Sequence, residues 1–466
     1  MQNKYEETLQ FVNPYSTPSK LKITDLRLAD IVGAPTNTTF IKIYTNQGVC
    51  GFGELRDGAS RTYALMLKGR LLGENPCDVD RLFQRVKQFG SHSRQAGGVS
   101  GIEVALWDLA GKAYGIPVYQ MLGGKFRDRV PVYCDIPVFG FNADGSLSMD
   151  GIPDGKKIGG HIKERLHQNW AFYKIGGVEQ IMRGNGYVGP GSFLSDWDDA
   201  RERRERLEAS GDRLEYFEAR SREYKYMNTE PSLTGVRLTE GALDALEQFT
   251  VDMRSVIGDR IQVAYDHVGR MGLGDAIRLG RRLEKYNIAW MEDVFPWYRT
   301  DQYLRLSEST TTPLCTGEDI YLKENFEELL SAGAVDVIHP DVLTAGGILE
   351  TKKIGDMAES YGIPMAVHMV ECPVGALAAA HMGVATNNVM AIENCNHWVS
   401  WWSDIVISKP GVIMENGYIA PSGLPGLGVV DFNDELLREH ADPRFPEIWA
   451  PTGEWDEEYS VDRHWC

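Results

Sequence analysis

The chain lacks several features that mark common classes of protein. Its 466 residues contain no run of about 20 apolar residues, the length that a membrane-spanning helix requires. The first ten residues, MQNKYEETLQ, have no basic stretch followed by an apolar core, so they predict no secretory signal. The seven cysteines are odd in number and form no Cys-x-x-Cys pair, which favours reduced thiols over a disulfide framework. We therefore expect a cytoplasmic protein with no membrane partner.

Basic residues are also scarce. Lysine and arginine total 48 against 66 aspartates and glutamates, which gives a formal net charge of −18. Because phosphate binding requires a basic surface, this balance argues against a nucleic-acid partner. An anionic small substrate is still compatible with it, since a bound cation can reverse the local field. The length suffices for two domains, or for one large barrel with an accessory domain.

The N-terminal part of the chain predicts strands followed by a helix. Residues 22–55 contain two β-rich runs joined by the hairpin signal NQG. The segment 101–124 predicts a helix that Gly115 and Pro117 end. Five residues share the apolar face of this helix: Ile102, Ala105, Leu106, Leu109 and Ala113. We therefore expect an α+β unit at the start of the chain.

From residue 130 onward, short apolar runs alternate with amphipathic segments of helical length. The segments 275–286 and 348–362 are two of these predicted helices. Alternation at this interval predicts βα units and a parallel sheet. Residues 177–237 interrupt the rhythm with a glycine-rich stretch and a run of mixed charges. We interpret them as an insertion that forms a lid or a contact between subunits.

Six apolar runs in the second half of the chain each end in a charged or histidine residue. These residues are 26, 26, 23, 27 and 25 positions apart, which is about one βα unit. A single acid after a strand is more often a helix N-cap, but six in register are hard to explain in that way. In a barrel of βα units, all six would lie at the mouth where the strands end. They are Asp266, Glu292, Glu318, Asp341, His368 and Glu393.

The first three members of this series are carboxylates, and they predict a metal site. Asp266, Glu292 and Glu318 would repel one another at a shared barrel mouth unless a cation neutralised them. Oxygen ligands in modest number favour Mg²⁺, which keeps coordination positions open for water and substrate. The series therefore predicts a Mg²⁺ cofactor.

Several short motifs together resemble the mandelate racemase/muconate lactonizing enzyme family of the enolase superfamily. In chain order they are YKIG, WMED, TGED, HPD, AVH and IENC. The resemblance implies an α/β fold, a modified (β/α)7β TIM-type barrel over residues 132–424. It also implies an α+β capping domain over residues 1–131 that is completed by residues 425–466. The insertion at 177–237 lies outside the resemblance.

The resemblance also implies roles for individual residues. Asp341 and His368 are similar to a dyad in which the carboxylate orients the imidazole and raises its basicity. Lys174 resembles the second lysine of the family's Lys-x-Lys strand, and Glu393 resembles an acid that helps to hold the substrate carboxylate. Phe172 occupies the first lysine position, so we expect no neighbouring ammonium to lower the pKa of Lys174.

Substrate contacts are expected in the loops of the capping domain. Arg56, His92 and Arg94 stand in two such loops, although ordinary loop polarity is an equal alternative. His267, beside the first metal ligand, resembles a histidine near this strand end in related acid-sugar dehydratases. A solvent-facing role is the alternative for that residue.

The function that the resemblance implies is a Mg²⁺-dependent dehydratase of an acid sugar, an aldonate or aldarate. Such an enzyme abstracts the proton α to the carboxylate, passes through an enediolate and eliminates water to give a 2-keto-3-deoxy acid. A racemase, epimerase or cycloisomerase is the alternative, because the same dyad and lysine could serve it. A non-catalytic sensor or scaffold is a third hypothesis, which a complete set of ligands and bases disfavours. We expect a homo-oligomer.

Overall fold

The computed structural model of the chain describes residues 16–34, 37–91, 93–138, 140, 153–183, 206, 238–268, 271–396, 398–408 and 413–458. Most of the predicted insertion at 177–237, and His92, lie outside these residues. Within the described part, no helix is long and apolar enough to cross a membrane.

An antiparallel sheet begins the chain. Its strands pair in the order β1-β2-β3, and the predicted hairpin joins the last two. Their bounds are β1 (Ile23–Ile31), β2 (Thr38–Thr45) and β3 (Gly51–Glu54). Five helices follow: α1 (Thr62–Leu65), α2 (Lys68–Leu71), α3 (Val79–Val86), α4 (Gly97–Tyr114) and α5 (Val118–Met121). The helix predicted over 101–124 is thus two helices, because Gly115 ends α4 at a φ of 74°.

The helix α4 packs closely on the sheet, and glycine makes this contact possible. A Cβ atom on Gly53 of β3 would lie only 2.1 Å from the carbonyl oxygen of Gly101 in α4. Any larger residue at Gly53 would therefore push the helix away. The loop that carries Arg56 begins directly after β3, so this packing fixes where that loop starts.

Eight parallel strands form a closed barrel after this unit. They pair in chain order, and the last strand pairs with the first to close the ring. Their bounds are β4 (Val130–Pro137), β5 (Tyr173–Gly176), β6 (Val263–Tyr265), β7 (Met291–Glu292), β8 (Leu314–Thr316), β9 (Val337–Ile338), β10 (Met365–Val367) and β11 (Val389–Asn394). The predicted barrel with an N-terminal unit is confirmed.

A helix follows each of the first seven barrel strands. The outer helices are α6 (Gly155–Arg165), α7 (Glu179–Arg183), α8 (Glu240–Ile257), α9 (Leu273–Leu283), α10 (Thr300–Ser307), α11 (Glu327–Ala332), α12 (Ile348–Ser360) and α13 (Pro373–Val384). Both α7 and α8 lie between β5 and β6. The predicted helices at 275–286 and 348–362 correspond to α9 and α12.

The barrel interior is built in layers. One residue from each strand contributes to a buried apolar cluster that is separate from the outer core: Tyr133, Phe172, Ala264, Trp290, Cys315, Val337, Ala366 and Ala391. Because side chains alternate along a strand, the next inward-facing residue of each strand lies two positions later, toward the barrel mouth. We call these eight residues the mouth ring: Asp135, Lys174, Asp266, Glu292, Gly317, His339, His368 and Glu393.

The C-terminal segment returns to the N-terminal sheet. The backbone N–H of Trp449 donates to the carbonyl of Leu28 over 2.9 Å, and the hydroxyl of Thr452 donates to the carbonyl of Leu26 over 2.5 Å. Four further strands and one helix belong to this part of the chain: β12 (Val406–Ser408), β13 (Met414–Glu415), β14 (Tyr418–Ile419), β15 (Val429–Phe432) and α14 (Asp434–Glu439). The strand β14 extends the barrel sheet by pairing antiparallel with β4.

Two buried glutamates of the N-terminal unit cap barrel helices. Glu54 accepts hydrogen bonds from the backbone N–H groups of Cys372 and Gly375, over 2.5 and 2.9 Å, at the start of α13. Glu103 accepts from the backbone N–H of Ile348 over 2.7 Å at the start of α12. Each carboxylate satisfies backbone donors that a helix N-terminus leaves free and also complements the helix dipole. These contacts hold the loop after β3 against the barrel mouth.

Replacing Glu103 by alanine should destabilise the protein strongly. The change would leave three donors without an acceptor: the buried N–H of Ile348, and the partly buried N–H groups of Leu349 and of the Trp107 indole, which is 2.6 Å from Glu103. We expect the free energy of unfolding to fall by about 3 kcal/mol or more, measured from urea transitions with an unchanged m-value. The control Glu327→Ala removes an exposed acid from the first turn of α11 and should change it by less than about 0.5 kcal/mol. Equal effects of the two changes would contradict the capping argument.

Candidate active site

Lys174 lies at the centre of the mouth ring. Its ammonium Nζ is 3.1 Å from Asp266 Oδ2, 3.0 Å from Glu292 Oε1 and 2.8 Å from Glu393 Oε1. Burial lowers the pKa of Lys174, but the three carboxylates outweigh it and hold the pKa well above its usual range. Phe172 stacks on Tyr133 in the layer below, so it supplies no second charge. Lys174 is therefore a firmly protonated cation among three acids.

A second group of carboxylates lies beside this lysine. Glu292, Asp293 and Glu318 each direct one oxygen to a common point, and these oxygens all lie within 4.8 Å of one another. Burial and the neighbouring charges of Glu318 and Glu292 raise the pKa of Asp293 to about 8. Such repulsion between oxygen donors is what a hard divalent cation relieves, so the donor set fits a metal ion.

The predicted metal ligands are brought to one mouth, but they are not equally placed. Glu292 and Glu318 belong to the close carboxylate group, whereas Asp266 contacts Lys174 and the imidazole of His267. Asp293 takes the third place in that group, with a backbone φ of 49° and a hydrogen bond from the Thr316 hydroxyl over 2.7 Å. The sequence did not single out Asp293, although it directly follows Glu292.

Asp341 and His368 form a buried pair at the ends of neighbouring strands. His368 Nδ1 is 2.7 Å from Asp341 Oδ2, and the other oxygen of Asp341 accepts from the backbone N–H of Leu343 over 2.6 Å. His368 Nε2 lies 3.1 Å from Glu318 Oε2. Burial and the charge of Arg56 lower the pKa of His368, but the surrounding carboxylates and the bond to Asp341 raise it well above its usual range.

Arg56 reaches this pair from the N-terminal unit and is fully buried there. Its Nη1 is 3.0 Å from Asp341 Oδ2 and 2.7 Å from Glu371 Oε1. The same Nη1 lies 2.8 Å from His368 Nδ1, so Arg56, Asp341, Glu371 and His368 form one buried group of hydrogen-bonding side chains. In the tautomer whose Nδ1 donates to Asp341, the lone pair of neutral His368 is on Nε2, which lies 3.1 Å from Glu318 Oε2. Arg56 is thus part of the site and not ordinary loop polarity.

The other predicted substrate contacts have different environments. Arg94 forms an ion pair with Asp57 and lies 3.5 Å from Glu318 Oε1, so it borders the close carboxylate group. The side chain of His267 is 53% exposed, with Nδ1 against Asp266. His92 lies outside the described residues. Two of the four predicted contacts therefore touch groups of the site from the N-terminal unit, and a third borders it from the barrel.

Three mouth residues were missed by sequence reasoning. His339 Nδ1 lies 3.2 Å from Glu292 Oε1, and its Nε2 lies 2.5 Å from the hydroxyl of Tyr133, which is in the apolar layer below. Asp135 lies on β4, two positions after Tyr133. Counting two residues onward from each buried interior position would have found both His339 and Asp135, because side chains alternate along strands. Glu371, the partner of Arg56, has no such signal.

Known proteins resemble this chain along nearly its whole length. Residues 18–123 match the model of the mandelate racemase/muconate lactonizing enzyme N-terminal domain, and residues 233–435 match the enolase C-terminal domain-like model. A D-xylonate dehydratase from Haloferax volcanii is 31% identical over 435 residues, covering 92% of this chain and 91% of that protein. A D-galactonate dehydratase from Ralstonia pickettii is 28% identical, covering 87% of this chain and 92% of that protein.

A solved structure gives the same result for the fold. The mandelate racemase/muconate lactonizing enzyme-like protein from Rubrobacter xylanophilus superimposes with a TM-score of 0.75 at 27% identity, covering 92% of this chain and 99% of that one. Fold and site together define an enolase-superfamily enzyme, a class that uses a divalent metal. The chain belongs to the mandelate racemase/muconate lactonizing enzyme family.

Proposed function

We propose that the protein is a Mg²⁺-dependent dehydratase that converts an aldonate or aldarate into a 2-keto-3-deoxy acid. One observation carries the proposal. Relatives that are named for the dehydration of D-xylonate and D-galactonate align with about nine-tenths of the chain. The barrel mouth of this chain holds a buried acid–histidine pair, a buried lysine and clustered carboxylates, which are the groups that such a reaction needs.

His368 is the proposed base that takes the proton α to the substrate carboxylate. Asp341 orients its ring and stabilises the imidazolium that forms, and Arg56 holds Asp341 in place. Lys174 and Glu393 form a buried ion pair, with Glu393 Oε2 3.8 Å from His368 Nε2, and they hold the carboxylate as it gains charge.

The proposed ligands of the metal are Asp266, Glu292 and Glu318, with Asp293 beside them. When bound there, Mg²⁺ supplies positive charge that stabilises the developing dianion of the substrate. The carboxylate oxygens favour this hard ion over softer metals.

The proposed substrate contacts are Arg56, Arg94, His92 and His267. The Nε and Nη2 atoms of Arg56 are buried and make no hydrogen bond within the described part of the chain, although Nη2 lies 3.6 Å from Glu318 Oε1. Buried donors of this kind suit a substrate oxygen, since leaving them unpaired is costly. The proximity of Arg94 to Glu318 supports its proposed role as a contact to the same substrate from the neighbouring loop.

We propose the division into two domains that the sequence analysis implied. Residues 1–131 would form the capping domain, completed by 425–466, and residues 132–424 a (β/α)7β barrel that carries the insertion at 177–237. The hydrogen bonds from Trp449 and Thr452 to the N-terminal strand support that completion. We also propose a homo-oligomer in the cytoplasm, and six free cysteines among the described residues support a reducing compartment.

The direct test is a panel of acid sugars that includes D-xylonate and D-galactonate. We expect at least one aldonate or aldarate to yield a 2-keto-3-deoxy acid with Mg²⁺ present, detected as a semicarbazone and identified by mass spectrometry. The double variant Asp341→Asn/His368→Asn, purified in parallel, should give none, which excludes a contaminating enzyme. Isomerised acid sugars without loss of water would instead indicate the racemase or epimerase alternative.

A further inference from the structure

We propose that Asp135 is a further catalytic residue, the acid that protonates the hydroxyl group leaving the substrate. This inference rests on the proposed function, because only a dehydration has a hydroxyl group to expel. The reaction needs two proton transfers at different atoms, one from the carbon α to the carboxylate and one to the departing oxygen. His368 serves the first, and the mouth ring shows which group is free for the second.

The position of Asp135 places it inside the active site. It is the mouth-ring residue of β4, and its backbone is the register partner of Lys174 on β5. On the other side, β4 pairs with β11, where Cys395 Sγ lies 3.6 Å from Asp135 Oδ2 and 3.4 Å from Glu393 Oε1. Asp135 therefore stands between the strands that carry Lys174 and Glu393, and the single strand β11 separates its own strand from the one that precedes His368.

One oxygen of Asp135 has no partner. Oδ1 is shielded from solvent, yet within the described ranges it makes no hydrogen bond. A buried carboxyl oxygen without a partner is costly, so such a group in a catalytic cleft is a candidate to meet a substrate atom. The residue as a whole is only partly buried.

The other ring members are already engaged. The ammonium of Lys174 has three protons and lies against three carboxylates, which makes it a poor proton donor. His339 contacts Glu292 through Nδ1, over 3.2 Å, and the hydroxyl of Tyr133 through Nε2, over 2.5 Å. Among the mouth-ring side chains that the structure describes, Asp135 Oδ1 and His339 Nδ1 make no hydrogen bond, but His339 Nδ1 lies 3.2 Å from Glu292 Oε1, which leaves Asp135 as the acid with a free oxygen.

The environment of Asp135 also suits an acid. Burial raises its pKa to about 7, the nearby charges of Glu393, Asp266 and Glu292 contribute to the rise, and Lys174 opposes it. A carboxyl group of this kind keeps its proton in a useful fraction of molecules near neutrality.

The proposed step balances without a further reactant. His368 removes the α-proton to give an enediolate, whose electron pair then forms the new carbon–carbon double bond as the adjacent carbon–oxygen bond breaks. Asp135 gives its proton to the departing oxygen, so that water leaves and Asp135 becomes a carboxylate. The enol product tautomerises to the keto acid. Solvent returns a proton to Asp135, and His368 releases the one that it took.

The test separates the two proton transfers in Asp135→Asn. With an aldonate that the wild-type protein dehydrates, such as D-xylonate or D-galactonate, keto-acid formation should fall by about 10²- to 10⁴-fold. Exchange of the α-proton with solvent deuterium, followed by NMR, should continue because His368 is intact. A substrate analogue with fluorine in place of the leaving hydroxyl should lose fluoride within about 10-fold of the wild-type rate, since fluoride departs without needing that acid.

The matched control is Asp154→Asn, the same change in the same βα unit. Asp154 caps α6 through the backbone N–H groups of Lys156 and Lys157, and asparagine caps equally well, so both rates should be unchanged. Equal dehydration by Asp135→Asn and wild-type protein would overturn this inference alone, as would loss of exchange and fluoride release together. Wild-type protein that dehydrates no acid sugar would overturn the proposed function and this inference with it.

Discussion

His368→Asn should lower the rate of dehydration by about 10⁴-fold while the protein stays folded and still binds a divalent metal. Asparagine fills a similar space and can still contact Asp341, but it has no basic nitrogen to accept a proton. The effect should be large because the Asp341 and Arg56 contacts prepare this one imidazole for proton transfer. The control is His167→Asn, the same change at an exposed histidine outside the barrel mouth, which should leave the rate unchanged.

Deuterium exchange at the α-carbon identifies the base without requiring complete turnover. We expect exchange to vanish in His368→Asn and to persist in Lys174→Met, because Lys174 is held as a cation by three carboxylates. Metal binding should be measured in both variants by calorimetry, so that loss of the ion is not mistaken for loss of the base. Exchange that survives in His368→Asn but disappears in Lys174→Met would reverse the assignment.

The spacing of strand ends made the barrel and much of its mouth predictable. Each βα unit returns the chain to the same edge of the barrel after about 25 residues, so residues at that interval meet in space. This is why Glu318, Asp341 and His368 could be grouped from sequence, and the structure brings both carboxylates within hydrogen-bonding reach of His368. Residues that are one or two βα units apart in the sequence therefore become neighbours at the barrel mouth.

Contacts that depend on tertiary geometry could not be predicted in the same way. Arg56 meets Asp341 across 285 positions of sequence, and this contact depends on how the N-terminal unit seats on the barrel. His339 pairs with Tyr133 across 206 positions through the barrel interior. Asp135 was missed because the insertion separates its strand from the regular series that begins at Asp266. In each case the sequence showed the residue type but not the residue that it contacts in the structure.

The sequence also could not show which carboxylates would surround a bound metal ion. Asp266 and Asp293 are both next to strand ends, and only the backbone decides which one turns toward Glu318. Asp293 does so through a left-handed backbone conformation, which is uncommon for a residue other than glycine. Such a conformation at a functional site is a feature to be explained by the chemistry that it permits.

Removal of the metal should abolish dehydration, and Mg²⁺ should restore it. Treatment with EDTA followed by desalting is expected to leave no measurable keto-acid formation, since the developing dianion would then face several buried carboxylates without a neutralising cation. The protein should remain folded, because its core does not depend on the ion. Activity that persists in metal-free protein, verified by elemental analysis, would contradict the proposed mechanism.

Substitution of single carboxylates then shows which of them hold the ion. Glu292→Gln should weaken Mg²⁺ binding by about 100-fold or more, because Glu292 is fully buried and no water can replace its charge. Asp266→Asn should weaken binding by a similar factor, and Asp293→Asn by less than about 10-fold, if the ligands are Asp266, Glu292 and Glu318. Calorimetric titration with Mg²⁺ measures each, with Asp154→Asn as the unaffected control. A larger loss in Asp293→Asn than in Asp266→Asn would instead make Asp293 the third ligand and leave Asp266 as a partner of Lys174 alone.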